Sequence, residues 1–423
     1  MITAPTKNQS IAIIIGVLIT FWASAIKGSY QVYFVDLTEF FALDRGQFSL
    51  TSAIFGLSIG VLSPIVGSIC DRFGPSLTIL SGSLSATLIY LLFSFELDFI
   101  TFLILFGVLA AYALTAMTFV PLALIVDKLF QSENKGMAYA AITNGTAVGF
   151  MVLSPLWVWL NTFLSWQEVS LVIFSVFMLV ITPASIWLCR RLPKINFQSD
   201  KDKIDDDFST QKSPSENNVR SLLTKSTFLF LALSFSGCGA SMAYIDVHLV
   251  PLLQDRFMDD TNQTSIVAAT LSFLGAAELI GAFVVGYILR FLQASHILAA
   301  LYITRAISLV ILLIADNLIL CLVFSILFGL TYMGSVIITS LLCLESYGQR
   351  IKGQMFGFLF TVHQILVFFT IWLGAFLYDI TGDYQLITYL VIGLCLVSSG
   401  ASLIYRKNEL AREQNTAPFT STS

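Results

Sequence analysis

At 423 residues, 57% of them apolar and only 11% charged, the chain cannot be an ordinary water-soluble domain, where about 25% of residues carry charge. A mean hydropathy of +0.84 and 36 phenylalanines suit a surface turned to lipid. The net charge of −4 says little about partners in a protein of this kind, and no nucleic acid is expected among them.

Twelve apolar segments follow in chain order, at 11–35, 47–70, 76–95, 99–126, 136–162, 167–189, 227–254, 264–289, 297–315, 318–344, 354–378 and 384–405. Each reaches the roughly 18 residues a helix needs to cross hydrocarbon. Lipid cannot satisfy backbone hydrogen bonds, so the segments are predicted to be helices. A β-barrel would need alternating stretches of about 10 residues, and runs such as 11–19 and 102–111 do not alternate. The predicted fold class is an all-α membrane protein of 12 transmembrane helices.

Charge sets the orientation. Of 22 Lys and Arg residues, 18 fall on one side, eight of them between Arg190 and Lys225. Only Arg45 and Arg256 fall on the other, while Lys27 and Arg305 lie within spans. Basic residues collect on the cytoplasmic side, so both termini are predicted in the cytoplasm, and the compact loops suggest a bacterial inner membrane. The first segment continues through Lys27, Tyr30 and Gln31 with no small-residue cleavage site, so it reads as a span rather than a signal peptide. The six cysteines form no CxxC pair and read as buried thiols. Neither a metal site nor a cofactor is expected.

The loop after the second segment reads GSICDRFGP, from Gly67 to Pro75. Gly67 and Gly74 let backbones approach. Asp71 can sit at the positive N-terminus of a neighbouring helix, the eleventh, and Arg72 can pair with Asp127. Such contacts form a latch that closes the cytoplasmic face in one state and breaks in another.

Residues 190–226 are rich in Lys, Asp, Ser and Asn and read as a flexible linker. They divide the chain into helices over 1–189 and 227–405, with a tail over 406–423. The halves echo each other at an offset of about 218 residues: Asp127 matches Glu345, Lys135-Gly136 matches Lys352-Gly353, and Gly67 roughly matches Gly286. Pro64, Pro121, Pro155, Pro183 and Pro251 fall within spans, where neighbouring helices can satisfy freed carbonyls. The Gly56/Gly60 and Gly145/Gly149 pairs permit close helix contact.

The Gly67–Pro75 loop and the six-plus-six plan resemble the major facilitator superfamily. The match departs at Pro75-Ser76, and the second-half copy is degraded to Leu289-Arg290. Further stretches are similar to the monocarboxylate and oxalate/formate porter branch: IKGSYQVYFVDLTEFFALDRGQFSLTSA, FVPLALIVDKLF, Lys135-Gly136-Met137-Ala138, VHLVPLL and the VHQ of 362–364. The resemblance implies two six-helix bundles rocking about a midplane site, and a monomer.

Charged and polar groups at membrane depth are costly, so they are the candidate site. Lys27 offers an anion a positive charge in a cavity-lining helix. The branch implies that a basic residue near this position engages the substrate carboxylate. It also implies that Glu278 carries a proton, with an Arg four positions on; here that position is Ala282. Asp246 and His248, two apart on one helix, point in different directions. His363 can donate to an anion or relay protons, and Gln364, Asn144, Tyr30 and Gln31 are further polar candidates. Arg305 reads as a local brace. No nucleotide motif is evident. The expected function is secondary transport of a small organic anion, a carboxylate, with proton symport. Alternatives are import of a larger carboxylate such as a siderophore, efflux of drugs or metabolites, or a transporter-like nutrient sensor.

Overall fold

The structure, a computed structural model, describes residues 7–129, 132–191 and 222–416. Among the described residues there is no strand, and twelve helices are long and apolar enough to cross a membrane. They are α1 (Gln9–Val32), α2 (Arg45–Phe73), α3 (Pro75–Phe93), α4 (Phe99–Met117), α5 (Ala140–Leu160), α6 (Trp166–Arg190), α7 (Ser226–Arg256), α8 (Gln263–Ile288), α9 (Ala294–Ile314), α10 (Leu318–Tyr347), α11 (Gln354–Thr381) and α12 (Gln385–Tyr405). An even number of spans puts the start of α1 and the end of α12 on one face, the terminal face; the opposite one is the far face.

Two helices are broken where the hydropathy pattern predicts continuity. The segment 99–126 splits at Thr118 (φ −115°, ψ −123°), and a separate helix runs Phe119–Leu129. Pro121 explains this: it has no N–H for the Met117 carbonyl, and its ring crowds that carbonyl. The second break, at Tyr332–Met333 in α10, contains no proline. By contrast, Pro64, Pro155 and Pro251 are accommodated inside helices. α4 and α6 each contain a wider π-helical turn, at Leu105–Ala110 and Phe177–Ile181.

Small residues bring α1 and α5 into backbone contact. A Cβ added at Gly149 would stand 2.3 Å from the Phe21 carbonyl oxygen. Thr20 Oγ1 donates to the Ile142 carbonyl at 2.7 Å across the same seam. In lipid, such close packing and cross-helix hydrogen bonds replace the hydrophobic drive of water. The far half of the first bundle is filled by aromatic rings: Tyr30 stacks on Phe106 at 4.1 Å, and Phe102 joins Phe106 to Phe93 and Trp166. Each such pair contributes about 0.5–1.5 kcal/mol beyond area burial. The two bundles meet along α2–α11, α5–α8 and α1–α7. At α5–α8 a Cβ on Gly275 would lie 2.9 Å from Met151 backbone.

Candidate functional site

Among the described residues, one ion pair crosses between the bundles within their spans. Lys27 Nζ on α1 lies 3.0 Å from Asp246 Oδ2 on α7, with the two side chains 45% and 21% exposed. These exposures matter because they leave the pair accessible rather than sealed in packing. The other Asp246 oxygen, Oδ1, accepts from the Tyr332 hydroxyl at the break in α10. Glu278, half-buried on α8, is within electrostatic reach of both Asp246 and Lys27. Close by, Gln31 Nε2 donates to the Ile245 carbonyl at 2.9 Å, a second link from α1 to α7.

The remaining sequence candidates divide. His363 is buried on α11 between Phe235 and Phe360, and neither ring nitrogen has a hydrogen-bond partner among the described residues. Arg305 and Lys27 both lie within electrostatic reach of it. His248 is buried elsewhere: its Nε2 pairs with the Ile371 carbonyl at 3.0 Å, and its ring packs near Phe34 and Tyr384. It joins α7 to α11 rather than facing Lys27. Tyr30 faces into the first bundle, where its hydroxyl meets Thr51 Oγ1 at 2.6 Å. Gln364 is buried in the α2–α11 seam, against Gly60. Asn144 is half-buried on α5.

A set of contacts that sequence reasoning did not single out closes the far face. Arg45, at the start of α2, makes a two-pronged bond to Asp255 on α7, at 2.6 and 2.8 Å. It also donates to the Tyr384 hydroxyl at 3.0 Å and lies 3.9 Å from the Tyr378 ring centre. Bidentate Arg–carboxylate bonds are among the strongest polar contacts available. Asp379 on α11 caps α2 from outside, accepting from the backbone N–H groups of Arg45 (3.1 Å) and Gly46 (2.6 Å). Those are donors a helix start otherwise leaves orphaned. Arg256 donates to the Leu312 and Ala315 carbonyls at the end of α9. Both basic residues of this face are therefore engaged; their isolation on it was the available signal.

Two cavities also open at the far face. One, about 390 Å³, is lined by Tyr33, Asp36, Phe40, Asn161 and Trp166. Burial raises the Asp36 carboxyl above its usual range, opposed by the hydrogen bond from Asn161. The other, about 250 Å³, lies beside Asp255 and Tyr384. Neither contains Lys27, Asp246 or Glu278.

The terminal face differs. A Cβ built on Gly67, Gly286 or Gly357 would meet nothing within 4 Å. Asp71 and Arg72 are exposed at the end of α2, and the Arg72 guanidinium lies 5.3 Å from the Phe73 ring. Among the described residues no ion pair involves Arg72. The side chain of Asp127, its proposed partner, lies outside the described residues. Gly74 has φ +89°, left-handed geometry that favours glycine, and it turns the chain from α2 into α3.

Fold and site define a polytopic membrane transporter. The sequence profile of the Major Facilitator Superfamily matches residues 13–371, and the chain belongs to that family. It is 25% identical over 388 residues to the uncharacterized MFS-type transporter YcxA of Bacillus subtilis, covering 90% of each chain. It is 22% identical to monocarboxylate transporter 12 of Mus musculus, covering 95% of this chain and 86% of that one. In structure it resembles a bacterial homolog of the human lysosomal transporter Spinster, solved inward-facing and unoccupied. That likeness has a TM-score of 0.70 at 12% identity and covers 96% of this chain and 99% of that one.

Proposed function

We propose that the chain is a secondary transporter that carries a small organic anion, a carboxylate, by alternating access coupled to protons. The observation that carries this reading is the Lys27–Asp246 pair, a cation and an anion from opposite bundles meeting at membrane depth within reach of Glu278. An incoming carboxylate exchanges with Asp246 for the Lys27 ammonium. A proton on Glu278 or His363 offsets the charge this exchange leaves behind. Residues 1–189 and 227–405 then rock as two bundles, tethered by 190–226. The basic excess makes the terminal face cytoplasmic. In this reading the carrier sits in a bacterial inner membrane and is open to the cytoplasm, a reading supported by the contacts across the far face and the open glycines of the terminal face. Resemblance to monocarboxylate transporters supports a carboxylate cargo. Efflux of apolar compounds would favour a cavity with Lys27 outside it, whereas here Lys27 bridges the bundles.

Uptake into proteoliposomes tests the reading, with labelled lactate, pyruvate, oxalate and citrate offered with and without an inward proton gradient. Gradient-stimulated uptake of at least one, abolished by Lys27→Ala in normally inserted protein, is the expected result. No uptake of any, or uptake untouched by Lys27→Ala, removes the anion reading.

A further inference from the structure

Arg305 poses a physical question. It is 0% exposed in the middle of α9, and among the described residues no carboxylate pairs with it. Moving an ion of this size out of water is costly unless other groups solvate it. Here hydroxyls and carbonyls do so. Nε donates to Thr331 Oγ1 (3.0 Å) and Nη1 to Ser241 Oγ (2.8 Å). Nη2 contacts the carbonyls of Thr331 (2.8 Å) and Tyr332 (2.9 Å) and Ser335 Oγ (2.8 Å). The two carbonyls belong to the break in α10, where interrupted helical bonding leaves acceptors to be filled. Arg305 thus solves two problems together: its own charge is solvated, and the broken helix is capped.

The break has a direction. Its Tyr332 hydroxyl reaches Asp246 Oδ1, while Asp246 Oδ2 holds Lys27. On the other side, Gly329 packs α10 onto α8 so closely that a Cβ there would lie 3.2 Å from the Glu278 nitrogen. We propose that Arg305 is the positioning residue of the transport site: by clamping the α10 break it aims the Tyr332 hydroxyl at Asp246, and so fixes the carboxylate that Lys27 must release to take up cargo. This rests on the reading of Lys27–Asp246 as that site. The task needs Arg specifically, because a planar fork with five donors can hold hydroxyls and carbonyls on two helices, whereas Lys offers three donors on one nitrogen.

The test needs no cargo. Purified full-length protein is acetylated with a trace of N-hydroxysuccinimidyl acetate, and the rate at Lys27 is read by mass spectrometry against exposed Lys225. An ammonium held by a carboxylate is a poor nucleophile. Asp246→Ala accelerates Lys27 labelling. Arg305→Lys and Tyr332→Phe accelerate it several-fold, toward the Asp246→Ala rate, and the double variant is no faster than Tyr332→Phe alone because both act through one bond. A structural role alone would give additive effects, with Lys225 altered in step. Labelling at or below the wild-type rate in Tyr332→Phe or Arg305→Lys, with Asp246→Ala still fast, overturns the positioning role and leaves the site standing. No response to Asp246→Ala removes the ion pair, and with it both this proposal and the site it serves.

Discussion

The two ends of the α2–α11 seam are built from the same residue type and behave oppositely. From the far end to the middle of α2, Gly46, Gly56 and Gly60 have neighbours where a Cβ would go: Asp379 at 2.6 Å, Val367 at 2.7 Å and Gln364 at 3.1 Å. At the terminal end, Gly67 on α2 and Gly357 on α11 face open space. Packing does not require glycine at these last two positions in this conformation. Under the proposed alternating access, a seam tilted the other way would bring these two positions together and call for glycine there. The comparison teaches that close packing along one seam is spent unevenly: glycines are filled up to the middle of α2 and left open beyond it.

The largest effect is expected where the present closure is tightest. Gly46→Val should drive its side chain into Asp379 and Phe376, prevent far-face closure and cut transport at least tenfold. Spin labels at positions 40 and 383 should report a longer far-face distance; an unchanged distance would break the comparison at its closed end.

Next comes the Arg45 cluster. Asp255→Asn keeps the shape and removes the charge that faces Arg45. The far-face-open population should rise about tenfold, which corresponds to about 1.4 kcal/mol. The same pair of labels checks this. A population that does not move would mean that the seam closes on packing and the Asp379 cap alone.

Gly67→Val is the mirror experiment. It meets no obstacle here, so this state should keep its stability, yet turnover should fall several-fold if the terminal ends must meet during the cycle. Full turnover with the valine in place would show that the terminal glycines never come into contact.

The smallest expected effect concerns pH. The Asp36 carboxyl is raised above its ordinary 3.8, chiefly by burial, with Glu39 adding to it. A carboxyl raised on folding contributes relative stability that is present below its unfolded value and lost as pH rises through the folded one. Asp36→Asn should therefore flatten a shallow decline in melting temperature across that window. The side chain also reaches solvent, so the change should not exceed about 2 °C.

What the sequence disclosed follows physical range. Twelve spans were legible because apolar length is a local property. The break at Thr118 was legible in principle from Pro121, whereas the break at Tyr332 was not: Arg305, 27 residues earlier in sequence, fills its carbonyls. Lys27 and Asp246 each stood out as charges in hydrocarbon. Their pairing depends on how α1 packs on α7, 219 residues apart in sequence. His248 drew notice for the same reason as His363, and only packing separates a ring bonded to the Ile371 carbonyl from one with both nitrogens unpartnered. Arg45, Asp255 and Asp379 sit at span ends, where charges are ordinary, so nothing local marked them as a closure.

The two π-helical turns in α4 and α6 can be read as angular offsets. Each accommodates one surplus residue, and one residue is about 100° of helix rotation. Phe99–Ile104 therefore presents a different side to its neighbours than regular α-helical phasing from Ala111–Met117 would give it. Removing one residue from 105–110 would leave every remaining side chain chemically intact and still swing Phe102 away from Phe93 and Trp166. In these two helices, phase information is stored in the count of residues rather than in their kinds.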